Sequence, residues 1–134
     1  MTQLSDGVYR PADEAEARRI DEDWGSLTWL TSEMLTGSDT TLGRVIIKQG
    51  RSNPKHSHPN STEVLYLFRG KLWHVIGEEA VLMQPGDTTA IPAGVPHAAF
   101  SIGDEDAEMI VAIQPANVSS SQNHDQPQHP IPDT

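Results

Sequence analysis

Between Trp24 and Gln114 the chain is broken again and again by turn formers, and this spacing limits its fold more than any other feature. The breaks fall at Gly37-Ser38-Asp39, Gly50 to Pro54, Pro59-Asn60, Gly70, Gly77, Pro85-Gly86-Asp87, Pro92-Ala93-Gly94 and Gly103-Asp104. Glycine supplies positive φ and proline removes a backbone donor, so no long helix or strand crosses these points. The segments between them are short, rich in Val, Ile, Leu and Thr, and show no sustained helical period. They are expected to be strands at Leu27–Leu35, Leu42–Gln49, Lys55–His58, Glu63–Phe68, Lys71–Ile76, Ala80–Met83, Thr88–Ile91, Ala98–Ile102 and Ala107–Ile113. Many short strands with no helices between them form a sandwich or a small barrel, so the fold class is all-β.

The flanks differ from this middle. Residues 1–23 are polar, and the stretch Asp13 to Arg19 is expected to make at most one helical turn. Residues 24–114 carry the expected strands and form the domain, a sandwich or small barrel. Residues 115–134, PANVSSSQNHDQPQHPIPDT, are rich in Pro, Ser and Gln and read as a solvated, flexible tail. His124 and His129 fall in that tail and are set aside as exposed.

The chain has 134 residues, 36% of them apolar, which suits one domain with a modest core. It contains no cysteine, so neither a disulfide nor a thiolate metal site is open to it. A net charge of −10 repels nucleic acid and anionic membrane surfaces. The N-terminus lacks an apolar signal core and no stretch is long enough to span a bilayer, so the expected location is cytoplasmic. Much of the acidity is local, in Asp13 to Asp23 and Asp104 to Glu108, and reads as solvated surface.

The chemistry concentrates in GRSNPKHSHPNSTEVLYLFRG, residues 50–70. On a strand, residues i and i+2 face the same side, so His56 and His58 project into one space. Two imidazoles there can converge on one ion at about 2.0–2.1 Å. A turn follows, and Glu63 at the next strand start can bring a carboxylate to the same point, with Leu65 and Leu67 on its face. Two polar histidines at a surface turn remain the competing reading of this stretch alone. A second stretch, GDTTAIPAGVPHAAFS at 86–101, sets His97 at the start of another strand.

Together these stretches resemble the cupin superfamily. Its first motif, G-x5-H-x-H-x3,4-E-x6-G, is matched by Gly50, His56, His58, Glu63 and Gly70. Its second, G-x5-P-x-G-x2-H-x3-N, is matched by Gly86, Pro92, Gly94 and His97, with Ser101 in place of the final Asn. The resemblance implies a double-stranded β-helix (jelly-roll barrel) holding one divalent transition metal by His56, His58, Glu63 and His97. Three imidazoles and a carboxylate leave two positions of an octahedral ion open and suit Fe, Mn, Ni, Cu, Co or Zn.

His74 alternates with Leu72 and Ile76 and is the candidate catalytic residue, a general base if that face is inward. The alternative is a structural histidine on a half-buried sheet. Tyr66 and Phe68 lie opposite Glu63, and Trp24, Trp29 and Trp73 are read as a possible interface, since small cupins are commonly homodimers. Lys48, Arg51, Lys55 and Arg69 are candidates to attract a carboxylate substrate. Three functions stay open: a metal-dependent enzyme acting on a small organic substrate, with a lean to dioxygenase chemistry; a redox-neutral lyase or isomerase; and a non-catalytic metal or ligand-binding module.

Overall fold

The computed structural model describes residues 1–116 and 121–122. Its elements in chain order are β1 (Thr2–Leu4), β2 (Gly7–Tyr9), α1 (Ala12–Glu16), β3 (Ile20–Glu22), β4 (Gly25–Thr31), α2 (Glu33–Thr36), β5 (Thr41–Ile47), β6 (His56–Ser57) and β7 (Thr62–Arg69). Then follow β8 (Leu72–Ile76), β9 (Glu79–Met83), β10 (Thr88–Ile91), β11 (His97–Ser101), β12 (Ala107–Gln114) and β13 (Ser121–Gln122). Apart from the β1–β2 hairpin, the strands form two antiparallel sheets. One has the order β10-β7-β12-β5-β4-β3 and the other β13-β6-β11-β8-β9. This is the all-β fold expected of the strand spacing, and the jelly-roll barrel that the resemblance implies.

Alternation decides which side chains enter the barrel. Along β7, Glu63, Leu65 and Leu67 are buried while Val64, Tyr66 and Phe68 are exposed. A one-residue slip would turn Glu63 outward and expose both leucines, so the apolar face fixes the register. Ile47, Leu67, Leu72, Met83 and Met109 meet between the sheets with almost no exposed surface. Met109 also lines the cavity that holds the polar residues described below, so the core and the cavity share a wall.

Several expectations are corrected. The first strand ends at Thr31 instead of running to Leu35, because Ser32 starts a helix: its Oγ accepts from Leu35 N at 3.2 Å and its carbonyl from Thr36 N at 2.9 Å. The strand expected at Lys55–His58 is only His56–Ser57, since Pro54 and Pro59 on either side have no amide proton to donate. The sheet also begins upstream of Trp24. Ile20–Glu22 pairs with Gly25–Leu27, and the helical turn in the same segment covers Ala12–Glu16.

The start of the expected tail is not solvated. Ser61 Oγ donates to Pro115 O at 2.9 Å, Thr41 Oγ1 donates to Ala116 O at 3.2 Å, and Ala116 is buried. Farther on, the backbone at Ser121 and Gln122 pairs with Ser57 and His56 as an edge strand. His124 and His129 lie outside the described residues. No helix among the described residues is long and apolar enough to cross a membrane.

Candidate metal centre

Three separate strands and one turn deliver the four residues. His56 lies on β6, directly opposite His97, the first residue of β11. His58 follows β6 at the turn, where its carbonyl accepts from Gly94 N at 2.8 Å. That bond ties the Pro92-Ala93-Gly94 turn to the first histidine pair, and Gly94 adopts φ +81°, a left-handed conformation that glycine takes without strain. Glu63 enters from β7 in the opposing sheet. The ring centroids of His56 and His97 are 4.3 Å apart, those of His56 and His58 5.2 Å, and those of His58 and His97 5.6 Å. One ligand-type atom from each of His56, His58, Glu63 and His97 lies within 4.8 Å of the other three.

Backbone carbonyls orient two of the rings. His56 Nδ1 donates to Pro54 O at 2.8 Å and His97 Nδ1 donates to Val95 O at 2.9 Å. A carbonyl only accepts, so both protons sit on Nδ1 and both Nε2 lone pairs are free. Carbonyl-held imidazoles of this kind are the usual arrangement behind a metal-ligating histidine. His97 Nε2 is buried with no hydrogen-bond partner, although Glu63 Oε2 is 3.4 Å away. His58 Nε2 is 3.1 Å from Glu63 Oε1. A buried nitrogen with nothing to bond is costly, and a cation at the centre would satisfy it. The donor set therefore fits a divalent ion.

The electrostatics agree. Burial raises the Glu63 pKa, but the His58 and His97 imidazoles beside it outweigh that and hold the carboxyl well below the usual range. Glu63 is thus ionised wherever the protein is folded near neutral pH. Burial lowers His97, yet the Glu63 carboxylate beside it prevails and the net shift is upward. His56 is lowered, by burial first and then by His97.

The four residues open onto a cavity of about 160 Å³, whose walls include Trp24, Trp29, Leu65, Met109 and Val111. His74 also lines it, so its face is inward. Thr89 Oγ1 holds His74 Nδ1 at 3.0 Å, and burial followed by the charge of His97 lowers its pKa to about 4. Trp24 and Trp29, read from sequence as a possible interface, line the cavity. Trp29 packs so closely on β5 that a Cβ at Gly43 would lie 2.9 Å from its ring. Trp73 points the other way from His74. Lys48, Arg51, Lys55 and Arg69 do not line the cavity; Arg69 is committed to Glu105 and Glu108 at the surface. Sequence reasoning missed Asn53, which lines the cavity and accepts from Ala99 N at 2.8 Å, because within Gly50 to Pro54 it looked like one more turn former.

Comparison with known proteins agrees with this geometry. Residues 43–113 match the Cupin_2 family, described as a cupin domain. Germin-like protein 3-5 of Oryza sativa subsp. japonica is 33% identical over 85 residues, covering 58% of this chain and 37% of the relative. Oxalate oxidase GF-2.8 of Triticum aestivum is 29% identical over 85 residues, covering 58% of this chain and 38% of the relative. The chain thus spans well under half the length of these curated relatives. A recombinant oxalate oxidase solved in complex with glycolate superposes with a TM-score of 0.69 at 25% identity, over 75% of this chain and 56% of that one.

Proposed function

Since the chain belongs to the cupin domain family, we propose that it is a metal-dependent enzyme whose ion is held by His56, His58, Glu63 and His97 and which acts on a small organic substrate with dioxygen as the oxidant. One observation carries this reading: three imidazoles and one carboxylate converge to within 4.8 Å at the end of an apolar cavity. A structural site needs all positions filled, whereas four protein ligands leave two open on a six-coordinate ion. Similarity to oxalate oxidases supports the oxidative lean.

When bound, a divalent transition-metal ion supplies Lewis acidity or a redox couple beside those open positions. The protein's own groups do the rest. Pro54 and Val95 carbonyls keep the His56 and His97 rings aimed at the centre. Glu63 neutralises one of the two positive charges. The tryptophan, leucine and methionine walls exclude water and so strengthen each charge interaction at the site. With its pKa lowered to about 4, His74 is neutral at working pH and only a weak proton acceptor. Its role is to hydrogen-bond a substrate oxygen or hold a proton there, with Thr89 fixing the ring.

The test begins with elemental analysis of protein purified without added metal. About one transition-metal ion per chain is expected in wild type and much less in His58→Ala. A wild-type protein that neither carries nor binds Fe, Mn, Ni, Cu, Co or Zn refutes the proposal. Turnover of small diketones, phenols, keto acids, sugars and oxalate, measured with and without oxygen, then separates the chemistries. Oxygen uptake coupled to substrate loss supports the oxidative reading, and unchanged anaerobic turnover makes the protein a lyase or isomerase. Spectral changes without turnover make it a binding module.

A further inference from the structure

The cavity walls say more about the ligand than the metal site does. Among the described residues that line the space, Glu63 is the only carboxylate and no lysine or arginine takes part. Asn53 Oδ1 is already engaged by Ala99 N, and His74 Nδ1 by Thr89. Apart from the metal-site histidines the remaining walls are apolar: two tryptophans and the apolar side chains of β5, β7 and β12. Its volume, about 160 Å³, is close to the roughly 150 Å³ of an apolar cavity known to take up benzene.

We propose, on the premise that the four residues hold a metal, that the cavity takes a single-ring or similarly compact apolar molecule bearing one or two metal-binding oxygens and rejects dicarboxylates. Two physical reasons support this. A divalent ion with one carboxylate ligand has a net charge near +1, which a neutral or singly charged ligand matches. A chelated oxalate would turn its two outer oxygens toward apolar walls with no cation and few donors, at a cost of several kcal/mol in lost solvation. A ring instead buries its faces against Trp24 and Trp29 and keeps its oxygens at the ion.

Tropolone, a flat ring with two adjacent oxygens and a single negative charge when ionised, is the probe, and oxalate the comparison. Each is titrated anaerobically into the Co(II)-loaded protein, following the Co(II) absorption. Tropolone is expected to bind at least tenfold more tightly than oxalate. Val111→Phe, which fills the cavity from β12, is expected to weaken tropolone at least tenfold at unchanged metal content. Ala99→Val, a smaller intrusion, replaces it if Val111→Phe does not fold. Oxalate binding as tightly as tropolone, or tropolone affinity indifferent to the filling variant, overturns the proposal. A second measurement stands apart from the metal. Phenol should raise the melting temperature of the metal-free wild type and not of the filled variant. If the protein holds no metal but phenol still stabilises it, the metal assignment fails and the cavity assignment survives; no phenol effect overturns the latter.

Discussion

His74 offers a direct measure of how dry the site is. In the folded, metal-free protein its pKa is lowered to about 4 from 6.5, first by burial and then by His97. A depressed histidine pKa means that the unfolded chain takes up the proton before the folded one does. Stability from this residue is therefore fully present above pH 6.5, falls as the pH drops through the window between 6.5 and 4, and falls no further well below 4. At about 1.4 kcal/mol for each tenfold change, the gap corresponds to about 3 kcal/mol. Other groups add to the acid loss, His56 with its lowered pKa among them, so the total acid loss is not diagnostic. The difference between wild type and His74→Gln is. Urea denaturation in the presence of EDTA, at intervals from pH 7.5 to 4, should show wild type losing about 3 kcal/mol more than the variant. Parallel curves for the two proteins would refute the claim that His74 is buried and neutral. The same result would remove the reason for treating it as a hydrogen-bonding group instead of a base.

Two further outcomes follow from the packing. At Gly70, φ is +83° and an added Cβ would lie 2.8 Å from both the Ala107 Cα and the Asp106 carbonyl oxygen, so Gly70→Ala should cost about 2–4 kcal/mol in denaturant unfolding. A cost below 0.5 kcal/mol shows that the turn relaxes freely. A chain ended at Gln114 loses the bonds from Ser61 and Thr41 to Pro115 and Ala116 and should be about 2 kcal/mol less stable than one ended at Ala116. Equal melting temperatures for the two truncations would show that the docking of residues 115–116 adds nothing.

What was legible in the sequence was what chemistry restricts to few residue types. Histidine and carboxylate are the ligand types open to a chain with no thiol, so His56, His58 and Glu63 stand out by type and spacing, against a surface turn as the competing reading, and His97 joins them through the resemblance to the cupin motifs. Turn chemistry did the same for the strand breaks at Gly70, Gly86 and Gly94, where φ is positive in each case. Period-two alternation gave the inward face of β7. The failures come from places where a residue's neighbours, not its own type, decide its part. Ser32 reads equally well as the continuation of a strand or as the cap of a helix, and the helix forms because Leu35 and Thr36 are near enough to bond it.

The cavity walls were illegible for a related reason. Along β4, alternation would assign one face to the interior, but Ser26 and Thr28 are buried on one side while Leu27 and Trp29 reach the other. When both faces of a strand are covered, period two loses its meaning, and a tryptophan at such a position can as well be surface, core or cavity. A bulge where β4 pairs with β5 between Trp29 and Thr31 adds a shift that no local pattern announces. Gly43 then matters less for its backbone freedom than for its missing side chain, because the Trp29 ring occupies that space. The motif locates the metal site, but the ring-sized space beside it depends on two tryptophans, a glycine on the neighbouring strand and Val111 across the sheet. Gly43→Ala tests that dependence: an added methyl 2.9 Å from the Trp29 ring and 3.2 Å from Val111 should shift the ring and weaken tropolone binding severalfold while leaving metal content intact. Unchanged tropolone affinity in this variant would show that Trp29 does not shape the space.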